Sequence, residues 1–481
     1  MPRQTAILLA LLVLGSASSK GQPHDRAAAV DALFADFASG NTPGCAVGVV
    51  QRGKVVLAKA YGLADLEHRI PLTPQSAFYM ASVSKQFMAL SMLLLERDGR
   101  LRLDDGVRKY IPELPSYADD ITLRHLLHHT SGVRDYLTLG SLAGYSSDYV
   151  WTERGALRMI GRQRHLNFPV GTEHLYSNSG YVLLSMVAQR ATGRTLDEWA
   201  GEHLFSPLGM SSTRFQHDHS HMVLRRASGY IRQAGTPGAR GVRAGVGDNT
   251  WYIGNSTLDV VGDGGLYSTL EDMLRWAANF DDGRLAPDLL SRMQAPGALK
   301  DGTAIKNGYG MGLARSTYRG LETISHGGGL VGYRTMFLRL PAEKTTVVCM
   351  CNASTANTGR LAQRVAELYV GHAMSPASST DPAGANAPVT AGGPLSAELR
   401  KALVGAFYNA ELDAIYLIRE EGERLIVEAG DQPPVPIVGG PDRLRLERGG
   451  VGLVLDRDAS GRVNGFTLDA GRVRGLLFTR R

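Results

Sequence analysis

One stretch governs what this chain can fold into: Met80-Ala81-Ser82-Val83-Ser84-Lys85, followed from Phe87 to Leu95 by residues that are nearly all apolar. A helix with Phe87, Met88, Ala89, Leu90, Met92, Leu93, Leu94 and Leu95 has no face to give to water. It must therefore run through the middle of a core, wrapped on every side. Asp98-Gly99 supplies the stop signal. Ser82 then falls in the first turn and Lys85 one turn later, on the same face. The hydroxyl and the amine meet at a helix N-terminus, where the dipole favours developing negative charge. Desolvation of a half-buried amine disfavours its ammonium form and makes it a proton acceptor. The pair reads as a nucleophile beside its base, and it is the only Ser-x-x-Lys in the chain.

With 481 residues, the chain suits one large domain and a smaller one. A hydrophobic content of 43% against 20% charged residues is that of an ordinary globular protein. The net charge of +6 is dispersed, with no basic run, which sets nucleic acid aside as a partner. Arg3, the apolar run Ala6 to Leu14 and the small residues Gly15-Ser16-Ala17-Ser18 read as a signal peptide over residues 1–18. The expected location is periplasmic or secreted. No later segment is long and apolar enough to span a bilayer, so no transmembrane segment is expected in the mature chain. Cys45, Cys349 and Cys351 do not make a disulfide framework. Cys349 and Cys351 share one strand face, a poor geometry for bonding each other. Each reads as a small buried apolar residue, with a link from Cys45 to either left open.

Along the chain, Asp25 to Phe37 reads as an amphipathic helix, and Gly44–Val50 and Val55–Tyr61 as a hairpin turning at Gln51-Arg52-Gly53. Residues 100 to 270 are helical pieces and loops. Among them are short helices over Ile121–His129 and Gly180–Thr192, and a capping box at Ser268-Thr269-Leu270-Glu271. Strands return over Thr323–His326, Tyr333–Arg339 and Thr345–Cys351, and a helix over Thr358–Val370 closes the region. Strands at both ends with helices between predict an α+β domain: one antiparallel sheet flanked by helices. Residues 374–395, rich in Pro, Ala, Gly and Ser, read as a linker. Beyond them, six or more short alternating runs between Gly-containing turns predict a small all-β barrel over residues 396–481.

Acyl chemistry at Ser82 needs a proton shuttle, donors for an oxyanion and a strand edge to hold substrate. Tyr176-Ser177-Asn178 stands on a loop before a helix, and Tyr-x-Asn occurs once. His326-Gly327-Gly328-Gly329 ends one strand-like run just before another, and the glycines strip side chains from its edge. His125 and His129, spaced i, i+4, offer two metal-ligand positions without an acidic third, so no metal site is expected.

Ser82-x-x-Lys85, Tyr176-x-Asn178 and His326-x-Gly328, in that order, resemble the three motifs of the serine β-lactamase and penicillin-binding protein superfamily. Gly62-Leu63-Ala64-Asp65-Leu66-Glu67, Ile121 through Gly132, Pro207-Leu208-Gly209-Met210 and Tyr309-Gly310-Met311-Gly312 look like segments of its class C-like branch. The resemblance implies a serine hydrolase domain over residues 24–373 with no cofactor and no metal, followed by a lipocalin-like barrel. It implies Ser82 as acylated nucleophile, Lys85 in its activation and Tyr176 as base. It further implies Asn178, His326, Gly328 and Gly329 on the substrate, with the backbone N–H groups of Ser82 and Gly329 as oxyanion hole. A tyrosine serves as a base only where a cation such as Lys85 favours its ionised form. Many members carry Lys at the His326 position. Members with His-x-Gly include D-aminopeptidases and some esterases, which ranks peptide or amide hydrolysis first, ester hydrolysis second and β-lactam hydrolysis third. The substrate is then a small molecule or short peptide. Two non-enzymatic readings remain: a penicillin-binding or peptidoglycan-sensing protein, and a silent fold whose barrel holds a ligand.

Overall fold

The computed structural model describes residues 23–146, 148–232, 250–376, 395–440, 443–447 and 450–481. The signal-peptide assignment and nearly all of the linker assignment lie outside the described residues.

A six-stranded antiparallel sheet is built from the two ends of the first domain. Its strands are β1 (Cys45–Gln51), β2 (Lys54–Tyr61), β3 (Ala314–Tyr318), β4 (Leu321–Leu330), β5 (Tyr333–Leu340) and β6 (Thr345–Cys351), in the order β3–β4–β5–β6–β1–β2. The helices that cover the sheet or carry the site are α1 (Pro23–Leu33), α2 (Lys85–Arg97), α3 (Tyr136–Leu142), α4 (Asn178–Thr192), α5 (Leu270–Asp282) and α6 (Thr358–Val370). α6 and α1 cover one face of the sheet, and α5 packs on the other against β1 and β6. Among the described residues, no helix is long and apolar enough to cross a membrane.

As its composition requires, α2 is buried from Lys85 through Leu95. Several boundaries differ from the sequence reading, each for a local reason. Ser82 sits in a 3₁₀ turn, Ala81–Ser84, ahead of the α-helix that begins at Lys85; three residues per turn still stack Ser82 and Lys85. The helix at Ile121–His129 shortens to Leu123–Leu127, because Thr122 accepts the His125 N–H as its N-cap. α5 is capped by Thr269, which accepts the Asp272 N–H, in place of the box expected at Ser268. The glycines after His326 lie within β4 itself, with Gly328 opposite Thr335 and Gly329 opposite Arg334.

The link left open at Cys45 goes to Cys351. β1 and β6 pair with Cys45 directly opposite Cys351, and the two form a disulfide across 306 residues of sequence. Cys349 remains a buried free thiol, which burial pushes well above its ordinary range.

The C-terminal region closes into an eight-stranded barrel: β7 (Gly405–Asn409), β8 (Ala414–Glu421), β9 (Arg424–Ala429), β10 (Val435–Gly440), β11 (Arg443–Leu446), β12 (Gly452–Arg457), β13 (Val463–Ala470) and β14 (Val473–Arg480). The six alternating runs of the sequence (Ile415–Ile418, Leu425–Val427, Leu444–Leu446, Leu453–Leu455, Phe466–Leu468 and Leu476–Phe478) fall on β8, β9, β11, β12, β13 and β14, so β7 and β10 escaped that reading. The rings of Phe407, Tyr416, Phe466 and Phe478 touch one another in its buried interior, so those side chains fill space that a ligand would need. The barrel seats on the first domain through the buried Arg134–Glu411 pair at 2.8 Å and the Tyr416 hydroxyl, which donates to Leu142 O at 2.9 Å.

Candidate active site

The 3₁₀ turn at Ser82, the loop entering α4 and the outer end of β4 meet at a cleft of about 390 Å³ lined by Ser82, Tyr176, Asn178, Asp263, His326, Gly327, Gly329 and Arg472, among others. β3 pairs with β4 only as far as Ser325. From His326 onward β4 therefore has β5 on one side and presents its other backbone edge to the cleft.

Lys85 is fully buried. Its Nζ lies 2.9 Å from Asn178 Oδ1 and 2.6 Å from the Asp263 carbonyl, two acceptors with no proton to give. The remaining tetrahedral position of the nitrogen faces Ser82 Oγ at 3.1 Å. Proton exchange between amine and hydroxyl is thus confined to one direction. The Nζ also stands 5.0 Å from the centroid of the Tyr176 ring. The Tyr176 hydroxyl is buried and finds no hydrogen-bond partner among the described residues, although its ring lines the cleft. An unpartnered buried hydroxyl is costly, and this one is left with its hydrogen-bonding capacity unspent.

Asn178 is the first residue of α4, and its backbone N–H donates to Asp135 Oδ2 at 2.7 Å. The other oxygen of Asp135 caps α3 through the Thr138 N–H. Ser179 Oγ donates to Arg134 O and accepts the Tyr136 N–H. Two helix starts are thereby locked together behind Lys85. Sequence reasoning missed Asp135, and also Tyr136 and Asp263, because no local pattern links them. The Tyr136 hydroxyl donates to Asp263 Oδ2 at 3.1 Å, while Asp263 Oδ1 is buried without a partner among the described residues.

Burial pushes the Asp263 carboxyl up to about 6, against the pull of the Lys85 ammonium. The folded chain therefore holds this proton more tightly than the unfolded one does. Asp263 accordingly opposes folding once ionised, and between its ordinary value of 3.8 and about 6 its contribution to stability falls as pH rises. Asp263→Asn is expected to stabilise the protein by up to about 3 kcal/mol above pH 6. The gain should shrink toward zero as pH drops to 3.8. Urea unfolding of both proteins across that range checks it, and a gain independent of pH would contradict the account.

His326 lines the cleft, but both its ring nitrogens face protein partners. Nδ1 reaches Gly327 O at 2.7 Å and Nε2 reaches the Tyr309 hydroxyl at 3.4 Å. The carbonyl can only accept, so Nδ1 carries the proton and Nε2 accepts from Tyr309. Tyr309 in turn lies 3.1 Å from His129 Nε2, and the Ser177 N–H donates to His129 Nδ1 at 3.2 Å. Removal from water, then the Lys85 ammonium, pushes His326 down to about 4, and burial holds His129 well below its ordinary value. The sequence assigned His326 to the substrate, but this chain turns its nitrogens to the protein and leaves the ring without charge at neutral pH. His125 bonds back to Thr122, so His125 and His129 do not face a common point.

Gly328 does not line the cleft. It allows β4 to abut the turn that carries Ser82. A Cβ there would lie 2.2 Å from Thr335 Oγ1 and 2.4 Å from Met80 O, while Thr335 Oγ1 itself donates to Met80 O at 2.8 Å. Ala81 follows with a positive φ of 47°. Gly328→Ala is expected to cost roughly 1–3 kcal/mol and to lower kcat about tenfold or more by moving β4 away from Ser82. Gly327→Ala, whose Cβ would meet nothing closer than 3.8 Å, is the control. Thermal melts and steady-state kinetics on both variants read the difference.

A family model described as Beta-lactamase matches residues 30–371. A D-aminopeptidase of Gluconobacter oxydans is 34% identical over 334 residues, 68% of this chain and 59% of that relative. A D-aminopeptidase of Cereibacter sphaeroides is 28% identical over 437 residues, 90% of this chain and 75% of that one. Among solved structures, the octameric penicillin-binding protein homologue from Pyrococcus abyssi superposes with a TM-score of 0.62 at 20% identity, covering 94% of this chain and 100% of its own, a likeness of fold. With the family model spanning most of its length, the chain belongs to the beta-lactamase family.

Proposed function

We propose that this protein is a serine hydrolase that cleaves peptide or amide bonds through an acyl-enzyme on Ser82. The observation that carries this reading is the buried Lys85 nitrogen, fixed on Asn178 and Asp263 with its one remaining position on the Ser82 hydroxyl. Ser82 Oγ attacks the carbonyl carbon and its proton passes into the Lys85–Tyr176 pair. As the C–N bond breaks, Tyr176, whose hydroxyl has no partner among the described residues, hands a proton to the leaving amine. Water then attacks the ester by the same route in reverse. The backbone N–H groups of Ser82 and Gly329 receive the oxyanion, and the free edge of β4 holds the substrate backbone. D-aminopeptidases as curated relatives support an amide substrate over an ester or a β-lactam. The Cys45–Cys351 disulfide supports a periplasmic or secreted location.

A side-by-side panel tests the reading: D-amino-acid amides, acyl-D-alanyl-D-alanine peptides, p-nitrophenyl esters and nitrocefin. The highest kcat/KM is expected on an amide or peptide. Turnover restricted to esters or to nitrocefin would reject the assignment.

A further inference from the structure

The barrel hairpin joining β13 to β14 reaches across to the cleft, and the first domain holds its backbone there. Asn167 Nδ2 donates to Arg472 O at 2.9 Å, and the Arg474 N–H donates to Asn167 Oδ1 at 2.8 Å. Arg134 Nη2 donates to the carbonyls of Arg474 at 2.7 Å and Gly475 at 3.3 Å. The Asp135 N–H approaches Arg472 O at 3.5 Å, and Asp135 is also the residue that holds Asn178. Arg472 is thus tied to the same support as the catalytic groups.

Its side chain lines the cleft with Cζ 4.7 Å from the Tyr176 ring centroid. It is exposed, and among the described residues its guanidinium has no hydrogen-bond or ion-pair partner. The other positively charged group at the site, Lys85, is buried and committed to Asn178 and Asp263. His326 has both ring nitrogens turned to protein. Among the described residues that line the cleft, an incoming molecule therefore meets one free cation, and a guanidinium pairs carboxylates two-pronged. In the proposed reaction Tyr176 serves the leaving nitrogen, so a cation stacked on Tyr176 stands on the leaving side of the bond.

We propose that Arg472 anchors a carboxylate on the leaving side of the scissile bond, supplying from the barrel the positive charge that His326 does not carry. The substrate class is then a short peptide whose last residue, bearing a free carboxylate, is the one released. This rests on the amide-hydrolase reading above for the direction of the bond, but not for the binding itself.

The test uses full-length protein and a matched pair, an N-acyl-D-alanyl-D-alanine and its C-terminal amide. Arg472→Gln is expected to lower the acid-to-amide ratio of kcat/KM about 10–100-fold, mainly through KM. Arg472→Lys should recover part of the loss, and added salt should erode the wild-type preference. In a Ser82→Ala background, calorimetry should find the same 10–100-fold loss in the acid-to-amide ratio of dissociation constants. An unchanged ratio in Arg472→Gln, or equal binding of acid and amide by the parent, overturns the proposal. If the wild type cleaves neither compound and takes no fluorophosphonate adduct, the hydrolase reading fails. The calorimetric arm then still decides Arg472: a preference for the acid that Arg472→Gln removes upholds the carboxylate site, and its absence overturns it.

Discussion

Ser82→Ala is expected to take no fluorophosphonate adduct and to lose at least about 10³–10⁴-fold in kcat, while melting close to the wild type. Ser82 is partly exposed, and its Oγ meets the Lys85 Nζ at 3.1 Å. Deleting it removes the attacking atom but leaves Lys85 bonded to Asn178 and Asp263. No neighbour can step in: Ser84 is buried and spends its hydroxyl on Ala81 O at 2.7 Å. Lys85→Met makes the contrast. It also removes the buried ammonium beside Ser82 and Tyr176, but it strands the Asn178 and Asp263 oxygens in a buried setting, so it should lower stability as well as rate. Intact-protein mass measurement with and without probe, beside a thermal melt, separates the two effects. An adduct that survives on Ser82→Ala, or full turnover by it, would end the Ser82 assignment.

The parts of this site that could be read in advance are those encoded over short spans. The apolar run behind Ser82 forced a buried helix, and three-residue spacing forced the hydroxyl onto the amine. Alternating patterns announced most barrel strands, whereas β7 and β10 escaped: Gly405–Asn409 mixes Gly and aromatic residues, and Val435–Gly440 contains Pro436 and two glycines. What the sequence concealed depends on residues that only the fold brings together. Cys45 and Cys351 become neighbours because the first and last strands of the domain pair in the middle of the sheet. Asp135 and Asp263 look like ordinary surface acids until the chain closes over them. Arg472, on a turn between two barrel strands, carries no local mark of a place beside Tyr176. The His326 position was visible, but the direction of its nitrogens was set by Tyr309 and Gly327.

The hairpin that bears Arg472 is held in part by Arg134, whose counter-charge is the buried Glu411, so breaking that pair should be felt both in stability and at the cleft. Arg134 and Glu411 are 2% and 7% exposed, and Glu411 Oε2 also accepts the Arg164 N–H. Arg134 Nη1 also reaches Gln163 Oε1 and Nη2 the hairpin carbonyls of Arg474 and Gly475, while Nε has no partner among the described residues. Glu411→Ala leaves a buried guanidinium without its counter-charge, at an expected cost of about 3–5 kcal/mol. Replacing both partners with apolar residues, Arg134→Met with Glu411→Leu, should cost less than Glu411→Ala alone, because no charge is left stranded. The double variant should nonetheless weaken whatever discrimination Arg472 gives, since the hairpin carbonyls lose Arg134. Denaturant unfolding followed by far-ultraviolet circular dichroism, with the acid-to-amide kinetic ratio on the same samples, reads both. A double variant less stable than Glu411→Ala would show that the pair contributes net stability in place of merely satisfying two buried charges.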